Sequence, residues 1–380
     1  MLPTAKPEDA GMDSAKLQQA FGLLRGWVED GTLPGATALV ARRGVVVGRC
    51  WFGDAVREPA RRPIGPETLF AVASVTKPFT ATAVMQLAER ELLSIDQPVQ
   101  DLLPEFAGAG KEQISLRHFL THTSGLPEYA EDNQEIRRRH LGLDAFVRSY
   151  CRGAPSFPPG TRWSYSNYGF GLAGEIIARL GGRGYHEFVA EEILEPLGMR
   201  DSFLRPPESV WDRIAWVWLP EEPHTDHERY NSAYFRNLGI PWGGLYSTPE
   251  DLAIFAQAFL EGGHVRGRRI VSPATAREMT RNQLADGLGE AASATRARRA
   301  ASWGLGWDVK GLKAAHHSGT RTSPATFGHT GSSGSMLWVD PALDLVCVMI
   351  GTRSAESGWV DEPAPRRARF SDAVAAAVLE

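Results

Sequence analysis

Apolar residues along this chain recur with two different periods. Leu17, Ala20, Phe21, Leu24, Trp27 and Val28 repeat at helical spacing and predict a helix over 15–28. Residues 36–52 instead alternate as two β segments around Arg42-Arg43-Gly44, the pattern of a hairpin. Near the other end, Ser335-Met336-Leu337-Trp338-Val339 and Leu345-Val346-Cys347-Val348-Met349-Ile350 flank the turn Asp340-Pro341-Ala342-Leu343-Asp344, and 371–379 again reads helical. The same parts at both ends predict an α+β fold. One antiparallel sheet is built from both termini and covered by the terminal helices, and a helical middle is inserted as a second layer.

Within that middle, 77–93 predicts a strong helix through Ala81, Val84, Met85, Ala88 and Leu92. A second helix follows Asn167, carries Leu172, Ile176, Ile177 and Leu180, and stops at Gly181-Gly182, which leaves Tyr165 on the loop before it. Segment 210–242 holds Trp211, Trp216, Trp218, Tyr230, Tyr234, Phe235 and Trp242 with little periodicity and reads as a long functional loop. Segment 282–302, rich in Ala, Gly and Arg, reads as a surface insertion. No repeat or linker separates independent units. The expectation is one domain over 1–380, with a sheet region of about 1–75 plus 300–380 and a mainly helical region of about 76–299.

Composition narrows the function. Of 380 residues 43% are hydrophobic and 23% charged, which excludes disorder and coiled coil as the overall class. With 41 basic against 45 acidic residues the net charge is -4, so a nucleic-acid backbone is not the partner. Cys50, Cys151 and Cys347 lie far apart with no C-x-x-C and read as small buried hydrophobes. The N-terminal residues lack a basic start and an apolar h-region, and no run reaches the roughly 18 apolar residues of a membrane span. A cytoplasmic protein without a membrane partner is expected.

The chemistry is concentrated in Ser74-Val75-Thr76-Lys77. Residues three apart share a helix face, so Lys77 stands one turn from the Ser74 hydroxyl and, when burial keeps it neutral, can accept the hydroxyl proton. Ser74 also begins the helix, where its own N–H is available to a developing oxyanion. Two further signals follow in order: Tyr165-Ser166-Asn167, and His329-Thr330-Gly331 opening a Gly/Ser-rich stretch.

In these three motifs the chain resembles the serine β-lactamase and penicillin-binding-protein superfamily, in the branch of class C β-lactamases, D-Ala-D-Ala carboxypeptidases and family VIII carboxylesterases. Leu120-Thr121-His122-Thr123-Ser124-Gly125-Leu126 and Gly243-Gly244-Leu245-Tyr246-Ser247-Thr248 with Pro249-Glu250-Asp251-Leu252 extend the likeness over most of the chain. The resemblance implies the β-lactamase/transpeptidase-like fold and a mechanism. Ser74 attacks an acyl carbonyl, Lys77 with Tyr165 handles the proton, and Asn167 holds the acyl group or Lys77. Ser332 supplies the second oxyanion N–H beside Gly331. One position departs from the pattern: His329 stands where the β-lactamases carry a lysine that helps hold the substrate carboxylate. That moves the expectation toward esters.

Other signals carry less. Gly169-Phe170-Gly171-Leu172-Ala173-Gly174 has the form G-x-G-x-x-G but follows a loop motif rather than a strand, so its small residues predict close helix packing and not a dinucleotide site. His118 with His122, and His316 with His317, lack the H-E-x-x-H context and a visible third ligand, and read as structural or exposed. No metal or organic cofactor is required. The expected activity is hydrolysis of a small-molecule ester or amide, with a carboxylesterase first. A β-lactamase or D-amino-acid peptidase and an acyltransferase using the same acyl-enzyme come next, then a catalytically idle binding protein.

Overall fold

The computed structural model describes residues 1–57, 60–219, 230–285, 288, 301–360 and 365–379. Its centre is an antiparallel sheet of β1 (Gly35–Arg42), β2 (Val45–Val56), β3 (Arg62–Pro63), β4 (Asp308–Val309), β5 (Phe327–Thr330), β6 (Ser335–Asp340) and β7 (Leu345–Gly351), in the order β3-β2-β1-β7-β6-β5-β4. The two ends of the sequence meet where β1 pairs with β7, from Ala36↔Gly351 to Arg42↔Leu345. The predicted hairpin is present, turned by Arg43 and Gly44 at φ 53 and 75. Positive φ at both central residues is the type I′ geometry that matches strand twist.

Seven helices matter for the site: α1 (Ser14–Glu29), α2 (Lys77–Glu89), α3 (Leu116–Leu120), α4 (Tyr168–Gly181), α5 (Ala233–Leu238), α6 (Pro249–Leu260) and α7 (Arg366–Ala375). Terminal helices α1 and α7 cover one face of the sheet, where Leu17, Phe21, Leu24, Phe370 and Val374 meet Ala38, Val40, Trp338 and Met349. The intervening residues Leu39, Ala41, Leu337 and Val348 point to the other face, into the core that holds α2 and α6. Burial on both faces explains why these strands read as continuous apolar runs rather than clean alternation. Every residue of α2 from Lys77 to Leu87 is buried, and Phe79 stacks on Phe255 of α6 at 3.7 Å. The helix that begins with Lys77 therefore has no solvent face over its first three turns.

Several expectations shift. Helix α2 ends at Glu89, so Leu92 lies beyond it and is exposed. The last helix is Arg366–Ala375, not 371–379; Val378 bridges to Met12 instead of continuing the helix. Segment 210–242 is not all loop, because Ser232 accepts a hydrogen bond from Phe235 N and starts α5, which Gly239 at φ 62 stops. Residues 220–229 of that segment, and most of 282–302, lie outside the described residues. The small residues of α4 pack as expected: a Cβ on Gly169 would meet Phe119, on Gly171 Tyr150, and on Gly174 Pro241. The three cysteines are free and buried. Among the described residues no helix is long and apolar enough to cross a membrane.

Candidate active site

Ser74 lies in a short 3-10 turn, Ala73–Thr76, that feeds directly into α2, so Lys77 is the first residue of the α-helix. Ala73 holds φ at 47, a conformation that costs a non-glycine residue of order 1–3 kcal/mol. Its surroundings fix the turn in place. Thr76 Oγ1 donates to Ala73 O at 2.7 Å and accepts from Leu245 N at 3.0 Å, Val72 N donates to Leu245 O at 2.9 Å, and Ser335 Oγ donates to Val72 O at 2.7 Å. The result is a half-buried Ser74 tied to α2, to the Gly243-to-Thr248 segment and to β6.

Lys77 Nζ stands 3.0 Å from Ser74 Oγ and donates to Trp242 O at 2.8 Å. Burial holds its ammonium form well below the usual lysine range, with Glu128 pulling weakly the other way. Tyr165 completes the trio. Lys77 Nζ lies 4.8 Å from its ring centroid, and its hydroxyl interacts with Ser74, yet burial raises the phenol well above its ordinary value. The two shifts point in opposite directions, and both favour the uncharged form: the amine is pushed toward neutrality and the phenol keeps its proton.

The third motif closes the site from the sheet. Gly331 leaves β5 so near the Ser74 turn that a Cβ there would meet Ser335 Oγ at 2.2 Å, Val72 O at 2.3 Å and Ala73 Cβ at 3.2 Å. This brings Ser332 beside the Ser74 turn, with its Oγ 2.6 Å from the Tyr230 hydroxyl. His329 is buried, with Nδ1 2.7 Å from Thr330 O and Nε2 without a hydrogen-bond partner. Burial, then the nearby Lys77, push its pKa down to about 3, so the ring is neutral, and the Nδ1 contact makes Nε2 the acceptor. Asn167 occupies the position before α4 but makes no side-chain cap; its amide reaches Glu128 Oε1 at 3.5 Å while its Oδ1 is buried without a partner.

Ser74, Lys77 and Tyr165 thus meet, with the His329 ring 6.3 Å from that of Tyr165 and Gly331 against the Ser74 turn, and the structure adds other residues. His122 is neither exposed nor peripheral. It is buried with φ 57, its ring lies 4.3 Å from that of Tyr165, its Nδ1 accepts from Ser166 N at 3.1 Å, and its carbonyl accepts from Ser164 N at 2.8 Å. One residue therefore grips the Tyr165 loop on both sides. Trp303 packs edge-on against His122 and His329 at 4.9 and 5.6 Å, and Trp163 lies 5.4 Å from Trp303, walling the site with aromatic surface. Neither tryptophan belongs to a recognisable motif. His118 is structural, closing the N-terminus of α3 through Ser115.

Comparison with known proteins finds relatives of this fold over nearly the whole chain. The family model described as Beta-lactamase matches residues 18–369. Esterase EstB of Burkholderia gladioli is 31% identical, over 94% of this chain and 94% of its own. Among solved structures, a penicillin-binding protein homolog from Caulobacter crescentus superposes with a TM-score of 0.79 at 26% identity, covering 97% of this chain and 99% of that one. A family VIII carboxylesterase does so with a TM-score of 0.76 at 25% identity, covering 96% and 98%.

Proposed function

Because the chain belongs to the beta-lactamase family, we propose that it is a serine hydrolase that cleaves small carboxylic esters through an acyl-enzyme on Ser74. Neutral Lys77 takes the Ser74 proton as Oγ attacks the acyl carbonyl. The N–H groups of Ser74 and Ser332 receive the oxyanion, and Asn167 orients the acyl group. The Tyr165 hydroxyl gives its proton to the departing alkoxide and recovers one through Lys77. The ester C–O bond breaks as the alcohol leaves, and water then attacks the acyl-enzyme by the same proton path to release the acid and restore Ser74. The division into a sheet region and a helical region is supported by the main-sheet strands, which all fall within 35–63 and 308–351.

The observation that favours esters is His329. A neutral imidazole with an acceptor nitrogen offers no positive charge where a substrate carboxylate would need one. The likeness to a penicillin-binding protein homolog favours a second reading, a β-lactam or D-amino-acid peptide substrate processed by the same acyl-enzyme. Turnover of p-nitrophenyl butyrate by the wild-type chain and by Ser74→Ala, both verified as folded, tests the first reading. Activity confined to the wild type is expected. Equal activity in both removes Ser74 as the nucleophile, and silence in both, with penicillin adducts on the wild type, transfers the site to the second reading.

A further inference from the structure

Behind the strand of His329 and Thr330 lies a second cluster that hydrolysis at Ser74 does not use. Asp308 opens β4 and pairs across the sheet with Gly328. The chain after that strand returns to place His316 and His317 against it. His316 Nε2 and His317 Nδ1 each lie 3.5 Å from the same carboxylate oxygen, Asp308 Oδ2, and the three candidate ligand atoms all lie within 4.8 Å of one another. Adjacent histidines had offered a pair without a third ligand; the fold supplies it from a residue eight positions upstream of His316.

Two of the three separations match those that a shared ion would impose. An N–H···O hydrogen bond is most often about 2.9–3.0 Å long, so 3.5 Å is a slack contact. Ligand atoms held about 2.0–2.1 Å from one tetrahedral zinc ion, by contrast, sit about 3.4 Å apart along the tetrahedron's edges. Lys313 pairs with the other oxygen, Oδ1, and leaves Oδ2 to the two rings. Ser318 N–H donates to His316 Nδ1 at 3.3 Å, and Ser318 Oγ, 2.7 Å from the same nitrogen and 2.8 Å from Thr322 Oγ1, helps fix the His316 ring with Nε2 toward Asp308. That His316 Nε2 is buried without a hydrogen-bond partner. A cavity of about 420 Å³, also lined by Thr320, Thr330 and Arg367, opens onto the cluster and leaves space for a fourth ligand.

We propose that Asp308, His316 and His317 form a binding site for a divalent transition metal, zinc by ligand class, whose fourth position faces the cavity beside Thr330. The charges of Asp308 and Lys313 offset each other, so affinity comes from the donors rather than from net charge. Two imidazoles and one carboxylate oxygen suit zinc, whereas magnesium and calcium call for several oxygen ligands. The site stands independently of Ser74 chemistry.

Calorimetric titration of the chelator-treated full-length chain with zinc chloride tests it. One equivalent taken up at micromolar concentration is expected. His316→Ala and His317→Ala should each weaken it at least about tenfold, while the exposed His264→Ala leaves it unchanged. Should either variant fail to fold, zinc X-ray absorption on the wild-type protein gives the answer directly, since two imidazoles in the first shell are required. No stoichiometric uptake, uptake insensitive to both folded variants, or a first shell without imidazole overturns the site.

Discussion

The nitrogen of Lys77 and the hydroxyl oxygen of Ser74 lie 3.0 Å apart inside a helix start that water does not reach from the lysine side. That burial carries a stability cost for the protein. The pKa of Lys77 is below its unfolded value of 10.5, so the unfolded chain binds more protons between the two values, and stability rises with pH across that interval. Lys77→Met removes this rise. The variant should lose turnover by about two to four orders of magnitude. Its urea midpoint relative to wild type should be most favourable at pH 7 and decline as pH approaches 10; a gap that stays constant with pH would mean Lys77 is not held neutral.

His329→Lys should place a cation at the buried position that His329 occupies. Hydrogen bonds to charged groups are worth about 1.5–3 kcal/mol, so the ratio of kcat/KM for a carboxylate-bearing lactam over an uncharged butyrate ester should rise by at least about tenfold. Parallel kinetics on the two substrates measure the ratio. If it does not move, His329 is not what sets the preference between charged and uncharged substrates.

Gly331→Ala tests the close approach of the third motif to the nucleophile turn. The added methyl has nowhere to go between Ser335 Oγ, Val72 O and Ala73 Cβ. Overpacking of this kind costs about 1–3 kcal/mol, and here the displaced backbone carries Ser74 and Ser332. Thermal denaturation should show the loss, and kcat should fall more than KM rises. A variant with wild-type melting and kcat would show that the gap is easily widened.

Asp251, in the first turn of α6, gives a pH signature away from the chemistry. Burial raises its pKa to about 6, against the opposing hydrogen bonds from Ser202 Oγ and Asp201 N. The folded carboxyl therefore holds a proton that the unfolded one has released, and its contribution is complete below 3.8 and lost as pH climbs through 6. Asp251→Asn keeps an acceptor for both donors and should become more stable relative to wild type between pH 4 and pH 6.5. Urea midpoints at those two pH values decide the matter.

The sequence was legible where local rules act alone. The hairpin at Arg43-Gly44, the helix after Asn167 and the S-x-x-K turn each follow from spacing and turn chemistry within a few residues, and each stands where expected. What could not be read depends on distant partners. Nothing near His122 announces that it will clamp the Tyr165 loop, because Ser164 and Ser166 reach it only through the fold. Asp308 shows no kinship with His316 and His317 until β4 pairs beside Gly328. The end of α2 was misplaced for the opposite reason: Leu92 keeps the helical period although Arg90, whose N–H bonds back to Gln86 O, already caps the helix.

The pairing of β1 with β7 also dictates when this protein can become active. The partner of Gly35–Arg42 lies about three hundred residues further along, so loop-closure entropy makes the central seam a late event in folding. During synthesis the N-terminal hairpin leaves the ribosome long before Leu345–Gly351 and must wait with an open, apolar edge. The strand carrying His329 and the turn carrying Ser332 belong to that last arrival, while Ser74 and Lys77 are made early. Ser74 and Lys77 are thus synthesised long before Ser332, and the edge of the nascent hairpin stays unpaired until the C-terminal strands arrive.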